Sequence, residues 1–203
     1  MKRPKIIIHI LSALDGKTAG PCMGTPSAGA VSGEYGRIRG KAVPAPDNDF
    51  IAEKNAALYY VSVDAFGEIG WESGTFQKPG RPDAHIIEVL TEQAPAAYRA
   101  YLKERGVSYI TAGATALDCK TACEKLYKLF GIKTMLICGG GTNNWTFLQE
   151  GVVDEVSLLL APAADGEPDS ATVFEQSPLL TQSCPAEFRL KGLEMLTNDG
   201  VRL

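Results

Sequence analysis

Apolar residues in this chain come in short unbroken runs, separated by Gly-, Pro- and polar-rich stretches, the pattern of buried strands. Lys5 to Leu11 is the first run, continuous and β-branched, and it ends in the turn residues Ser12-Ala13-Leu14-Asp15-Gly16-Lys17. Leu58–Val63, Ala84–Leu90, Val107–Ile110, Lys133–Cys138 and Asp154–Ala161 read as further strands. Helical periodicity lies between them. Pro95–Arg105 is expected as a helix closed by Gly106. Asp118 is expected to cap a second helix that runs to Phe130 and ends at Gly131, with Cys119, Ala122, Cys123, Leu126, Leu129 and Phe130 as its apolar stripe. Glu187 to Leu196 alternates over part of its length, and Asn198-Asp199-Gly200 is a hairpin signal, with the final strand cut short at Leu203. Strands alternating with helices, then an antiparallel pair, predict an α/β fold with a mixed sheet. Residues 19–49 are the exception: apart from a short helix near Glu34–Arg39 they show little periodicity, and read as a mobile active-site loop or a missing element.

Composition narrows this picture only a little. A length of 203 residues suits one domain spanning 1–203. The net charge of −4 shows no basic footprint, which argues against nucleic acid as a partner. No stretch has the length of a membrane span. Lys2 and Arg3 precede an apolar run, but His9 and Asp15 interrupt it, so no secretory leader is expected. The 5 cysteines are odd in number and scattered, which fits reduced thiols in the cytoplasm. With only 2 histidines, no metal site is expected, and Cys119 and Cys123 read as small apolar residues on one helix face.

The strongest chemical signal is Met135-Leu136-Ile137-Cys138-Gly139-Gly140-Gly141-Thr142-Asn143-Asn144-Trp145. A strand, three glycines, polar N-cap types and a short helix make a plausible phosphate cradle: glycine lets a ligand approach the backbone, and a helix start offers unpaired N–H groups. The alternative is a plain tight turn, since neither the G-x-G-x-x-G fingerprint nor a P-loop lysine is present. Thr111-Ala112-Gly113 lies at another strand's carboxyl end, where α/β sheets bind ligands. Asp15 can orient a hydroxyl or amide and Lys17 can neutralise a phosphate, against the alternative of an ordinary Asp-Gly turn with a solvated lysine. His9 reads as a satisfied strand residue, Asp154-Glu155 as a strand start, and Lys125, Lys128 and Lys133 as a solvated basic surface. So sparse an inventory fits a reaction whose hard chemistry belongs to a cofactor.

Three stretches carry a family resemblance. They are Lys5 to Lys17, Leu136 to Gly141 with Phe147-Leu148 behind it, and Gly151 to Pro162 followed by Asp165-Gly166. Together they resemble the reductase domain of the bacterial riboflavin-biosynthesis deaminase–reductase, a member of the dihydrofolate-reductase-like fold. The resemblance implies a mixed sheet flanked by helices, NADPH as cofactor and a homodimer. It also implies hydride transfer to a ribosylamino-pyrimidine phosphate or a related small-molecule heterocycle. On this reading Gly139, Gly140, Gly141, Thr142 and Asn143 cradle the cofactor's phosphates. Thr111, Ala112 and Gly113 line its far end, and Asp15 and Lys17 lie near nicotinamide and substrate as the catalytic pair.

The chain departs from that family at three places. Ala13 stands where a Ser is usual, and Cys138 where a substrate-side Glu is common. Gly36-Arg37 is the nearest match to a second cofactor turn. These departures keep open a non-catalytic relative that retains fold and dimer interface. An unrelated phosphate-binding α/β protein is a third reading.

Overall fold

The computed structural model describes residues 2–20, 49–180, 183–197 and 199–203. Within them the elements run β1 (Lys5–Ser12), β2 (Tyr59–Val63), β3 (Thr75–Phe76), β4 (Ala84–Leu90), α1 (Ala96–Glu104), β5 (Ser108–Thr111), α2 (Cys119–Phe130), β6 (Thr134–Ile137), α3 (Gly141–Gln149), β7 (Glu155–Leu160), β8 (Glu194–Met195) and β9 (Val201–Arg202). The helix expected near Glu34–Arg39, Cys22, and the Gly36-Arg37 turn lie outside the described residues, as does Asn198 of the hairpin signal. The elements pack as two compact units.

One unit is built on β4. All seven of its residues are buried, His85 and Glu88 among them, as in a strand covered on both faces. β2 and β5 pair with it in parallel, and β3 pairs antiparallel at its start. The core gathers Trp71, Ile86, Leu90, Ala94, Tyr98, Leu102, Val107 and Tyr109, so α1 contributes Tyr98 and Leu102 to the sheet's cover. In α2 the expected signals work as read. The Asp118 carboxylate accepts from Thr121 N at 2.9 Å, and Gly131 takes the left-handed conformation at φ 68°. The backbone N–H of Thr121 also holds the Asp118 carboxyl below its ordinary pKa. Cys119 and Cys123 are buried on the apolar face of α2.

The other unit is built on β1, whose alternate residues Ile6, Ile8, Ile10 and Ser12 are buried. Its sheet runs β6-β1-β7-β9-β8. β6 and β7 flank β1 in parallel, and β9 turns antiparallel to both β7 and β8. Asp154 does more than start β7: its carboxylate accepts from Ile6 N at 2.8 Å and fixes the register of β1. The expected alternating strand over Glu187–Leu196 shrinks to Glu194–Met195. Phe188, Leu190 and Leu193 are exposed, so that alternation has no covered face to sustain a longer strand. The hairpin itself is present, with Asp199 at φ 58° and Leu196 N donating to Gly200 O.

Candidate functional site

In the β1 unit, two turns leave the carboxyl ends of parallel strands and both fasten onto residues 163–175. The first follows β1. Gly16 takes φ 79°, Gly16 N donates to Ala13 O, and Ala13 N donates to Lys17 O, closing a tight loop. Asp15 Oδ2 accepts from the backbone N–H groups of Gly166 at 2.9 Å and Asp165 at 3.0 Å. The Gly166 N–H leads in holding this carboxyl below its ordinary pKa, so Asp15 is an acceptor at neutral pH. Lys17 Nζ donates to Pro168 O at 3.0 Å and Ser170 O at 2.9 Å, and the Lys17 backbone bridges Thr172. Both predicted side chains therefore brace the 165–172 segment.

The second turn follows β6. Cys138 is exposed, Gly139 takes φ 109°, and the Gly139–Gly140 peptide is cis. The helix begins earlier than its polar residues suggested: Gly140 is the N-cap, without any side-chain cap, and α3 already includes Gly141, Thr142 and Asn143. Asn144 N makes the first bond back, to Gly140 O at 3.0 Å. The N–H groups of Gly141, Thr142 and Asn143 therefore head the helix, where an anion is favoured.

The three glycines have three different roles. Gly139 supplies a left-handed φ. Gly141 lies against the chain itself: a Cβ there would sit 2.4 Å from Thr172 O. Gly140 faces open space, with nothing within 4 Å of an added Cβ. Asn144, which the sequence did not single out, is buried and donates from Nδ2 to Val173 O at 2.8 Å. Its Oδ1 and the buried Ser12 Oγ have no hydrogen-bond partner among the described residues. An open glycine at a helix start that presents three N–H groups fits a phosphate-bearing cofactor. Glu175 is a further unforeseen residue: its Oε1 accepts from Thr172 N and its own N–H donates to Gly141 O at 3.1 Å. Only contacts distant in sequence reveal it.

Thr111, Ala112 and Gly113 belong to the β4 unit. Thr111 and Ala112 are buried and Gly113 is half-buried at φ 104°. Thr111 Oγ1 accepts from Arg99 Nη1 at 2.6 Å, and Thr111 O accepts from Lys125 Nζ at 2.7 Å. Ala112 N donates to Leu90 O, and Gly113 O accepts from Glu92 N. Among the described residues no group of His, Cys, Asp or Glu is arranged to hold a metal, and no helix is long and apolar enough to cross a membrane.

Residues 81–201 match the RibD C-terminal domain family. The chain belongs to that family. It is 34% identical over 84 residues to the 2,5-diamino-6-ribosylamino-4(3H)-pyrimidinone 5′-phosphate reductase of Aquifex aeolicus, covering 41% of this chain and 37% of that protein. The protein of the same name from Methanothermobacter thermautotrophicus is 33% identical over 93 residues, covering 46% and 42%. The chain thus spans about two-fifths of the length of the curated relatives it matches. A pyrimidine reductase-like protein from Corynebacterium diphtheriae superposes with a TM-score of 0.65 at 15% identity, covering 98% of this chain and 90% of that one. The fold is mixed α/β, as the strand–helix alternation and closing hairpin led one to expect, and dihydrofolate-reductase-like, as the family resemblance implied.

Proposed function

We propose that this chain is a cytoplasmic, single-domain NADPH-dependent reductase that transfers hydride to a carbonyl or imine carbon of a ribosylamino-pyrimidine phosphate or a related heterocycle. Gly140 carries this reading. It leaves open space at the head of α3, where three N–H groups favour a phosphate. Family membership and the named reductases support it. Bound NADPH would supply the hydride, and Gly139, Gly140, Gly141, Thr142 and Asn143 would hold its phosphates. Positioning supplies most of the acceleration in such a reaction. Asp15, held ionised, orients a substrate N–H or O–H and leaves proton donation to water or Lys17. Exposed Leu136, Phe188, Leu190, Leu193 and Met195 support a homodimer through the β1 unit, which sedimentation equilibrium would detect.

The deciding experiment is a fluorescence titration with NADPH and NADH, followed by turnover on the ribosylamino-pyrimidine phosphate. If neither nicotinamide cofactor binds at millimolar concentration, the oxidoreductase reading is lost. One observation favours a second reading. Cys138 stands beside the glycines where related enzymes commonly carry a carboxylate, which suits a non-catalytic nucleotide-binding relative. Cofactor binding without turnover would select it.

A further inference from the structure

Residues 163–175 have no helix or strand of their own, yet they are bonded to both turns of the β1 unit. Toward the first turn, Leu14 N donates to Ala163 O and Thr18 N to Ala171 O, each at 2.8 Å, beside the Asp15 and Lys17 bonds to the same segment. Toward the second, Glu175 N donates to Gly141 O at 3.1 Å and Thr172 O lies against Gly141. The two sets of bonds meet at Val173, which is buried. Its N–H donates to Gly16 O at 3.1 Å, and its carbonyl accepts from Asn144 Nδ2 at 2.8 Å. A single residue therefore links the Asp15 turn to the first turn of α3. Glu175 sets the bend that brings Val173 there. Its carboxylate accepts from Thr172 N at 2.6 Å, closing a turn over residues 172–175, while its own N–H holds α3. A carboxylate acceptor makes that bond stronger than a neutral one.

We propose that Glu175 and Asn144 are positioning residues: through Thr172 and Val173 they clasp the 163–175 segment to α3 and so fix where the Asp15 turn stands relative to the Gly140 opening. This role rests on the reductase reading, in which Asp15 orients the substrate and Gly140 admits a cofactor phosphate. Hydride transfer needs the reacting atoms in near-attack geometry, and a displacement of about 1 Å can cost on the order of a hundredfold in rate. A Glu175 that served folding alone would lower stability and leave the turnover of the folded chain unchanged.

The test uses the whole chain as wild type, Glu175→Ala, Glu175→Gln, Asn144→Asp and Lys17→Met. Amide exchange is followed by NMR without cofactor. NADPH affinity and turnover on the ribosylamino-pyrimidine phosphate are then measured. In Glu175→Ala the Leu14, Asp165 and Gly166 amides, at the far end of the segment, should exchange roughly tenfold faster. Its kcat should fall roughly tenfold while the Kd for NADPH stays within about twofold. Glu175→Gln keeps an oxygen for Thr172 N and should restore both. Asn144→Asp, which sets an acceptor opposite Val173 O, should change both in the same direction as Glu175→Ala. Lys17→Met cuts the segment from its other end and is read by exchange alone: the Glu175 N–H should exchange faster, which decides the matter if the Glu175 and Asn144 variants do not fold. Unchanged exchange at the far end in Glu175→Ala, faster exchange with wild-type kcat, or a Gln that fails to restore overturns the clasp. If exchange responds as stated while the wild type neither binds NADPH nor turns over, the clasp stands and the reductase reading falls.

Discussion

Gly140 and Gly141 are adjacent and chemically identical, yet they make opposite predictions. A methyl at 141 collides with Thr172 O, so Gly141→Ala should cost about 2 kcal/mol in chemical denaturation, the usual scale of forced overpacking. A methyl at 140 meets no protein atom, and Gly140→Ala should lose no more than about 1 kcal/mol, the ordinary penalty of Ala at an N-cap. Its cost should instead appear in cofactor binding, roughly tenfold weaker by fluorescence titration, because the methyl enters the space a phosphate needs. If the two variants behave alike in both measurements, the separation of roles is wrong. The triplet was legible in the sequence as a turn. The division of labour inside it was not, because it depends on Thr172 and Glu175, which only the folded chain brings there.

Elements whose identity is local were legible almost to the residue. β4 coincides with the predicted Ala84–Leu90, and α2 begins and ends at its cap residues. Asp118→Ala should therefore lower stability by about 1 kcal/mol, measured by urea denaturation, since it strips the cap from Thr121 N. Elements defined by their partners were not legible. β3 is two residues long and exists because Thr75 and Phe76 meet β4. β8 was overread because alternation alone cannot say whether either face is covered. The Asp49–Lys125 pair was invisible for the same reason: Lys125 reads as one more surface lysine until β5 and α2 place it beside Asp49. Asp15 and Lys17 were found by pattern, but their bracing of the 165–172 segment emerged only from the fold.

For the molecule as a whole, an electrostatic consequence within the working pH range lies at Glu88, fully buried in the middle of β4. Burial, reinforced by the Asp64 charge, pushes its pKa from the ordinary 4.5 up to about 8, against the hydrogen bonds from Trp71 and Ser62. The folded chain therefore favours the protonated acid, while the unfolded chain ionises from about pH 4.5. The contribution of Glu88 is complete below pH 4.5 and declines as pH rises toward 8, so thermal stability should fall across that window. Glu88→Gln should flatten the fall, and a melting-temperature profile that keeps its slope in this variant would contradict the assignment. Asp15, Asp118 and Glu155 act in the opposite sense: their depressed carboxyls stabilise above their ordinary pKa values and lose that contribution as the solution is acidified. The strand order of the β1 sheet has one more consequence. A ribosome delivers β1 before β2 to α2, yet its partners β6 and β7 leave the exit tunnel only after those elements of the β4 unit have been made. During that interval the Ile-rich β1 has no sheet to join and is a natural client for chaperones.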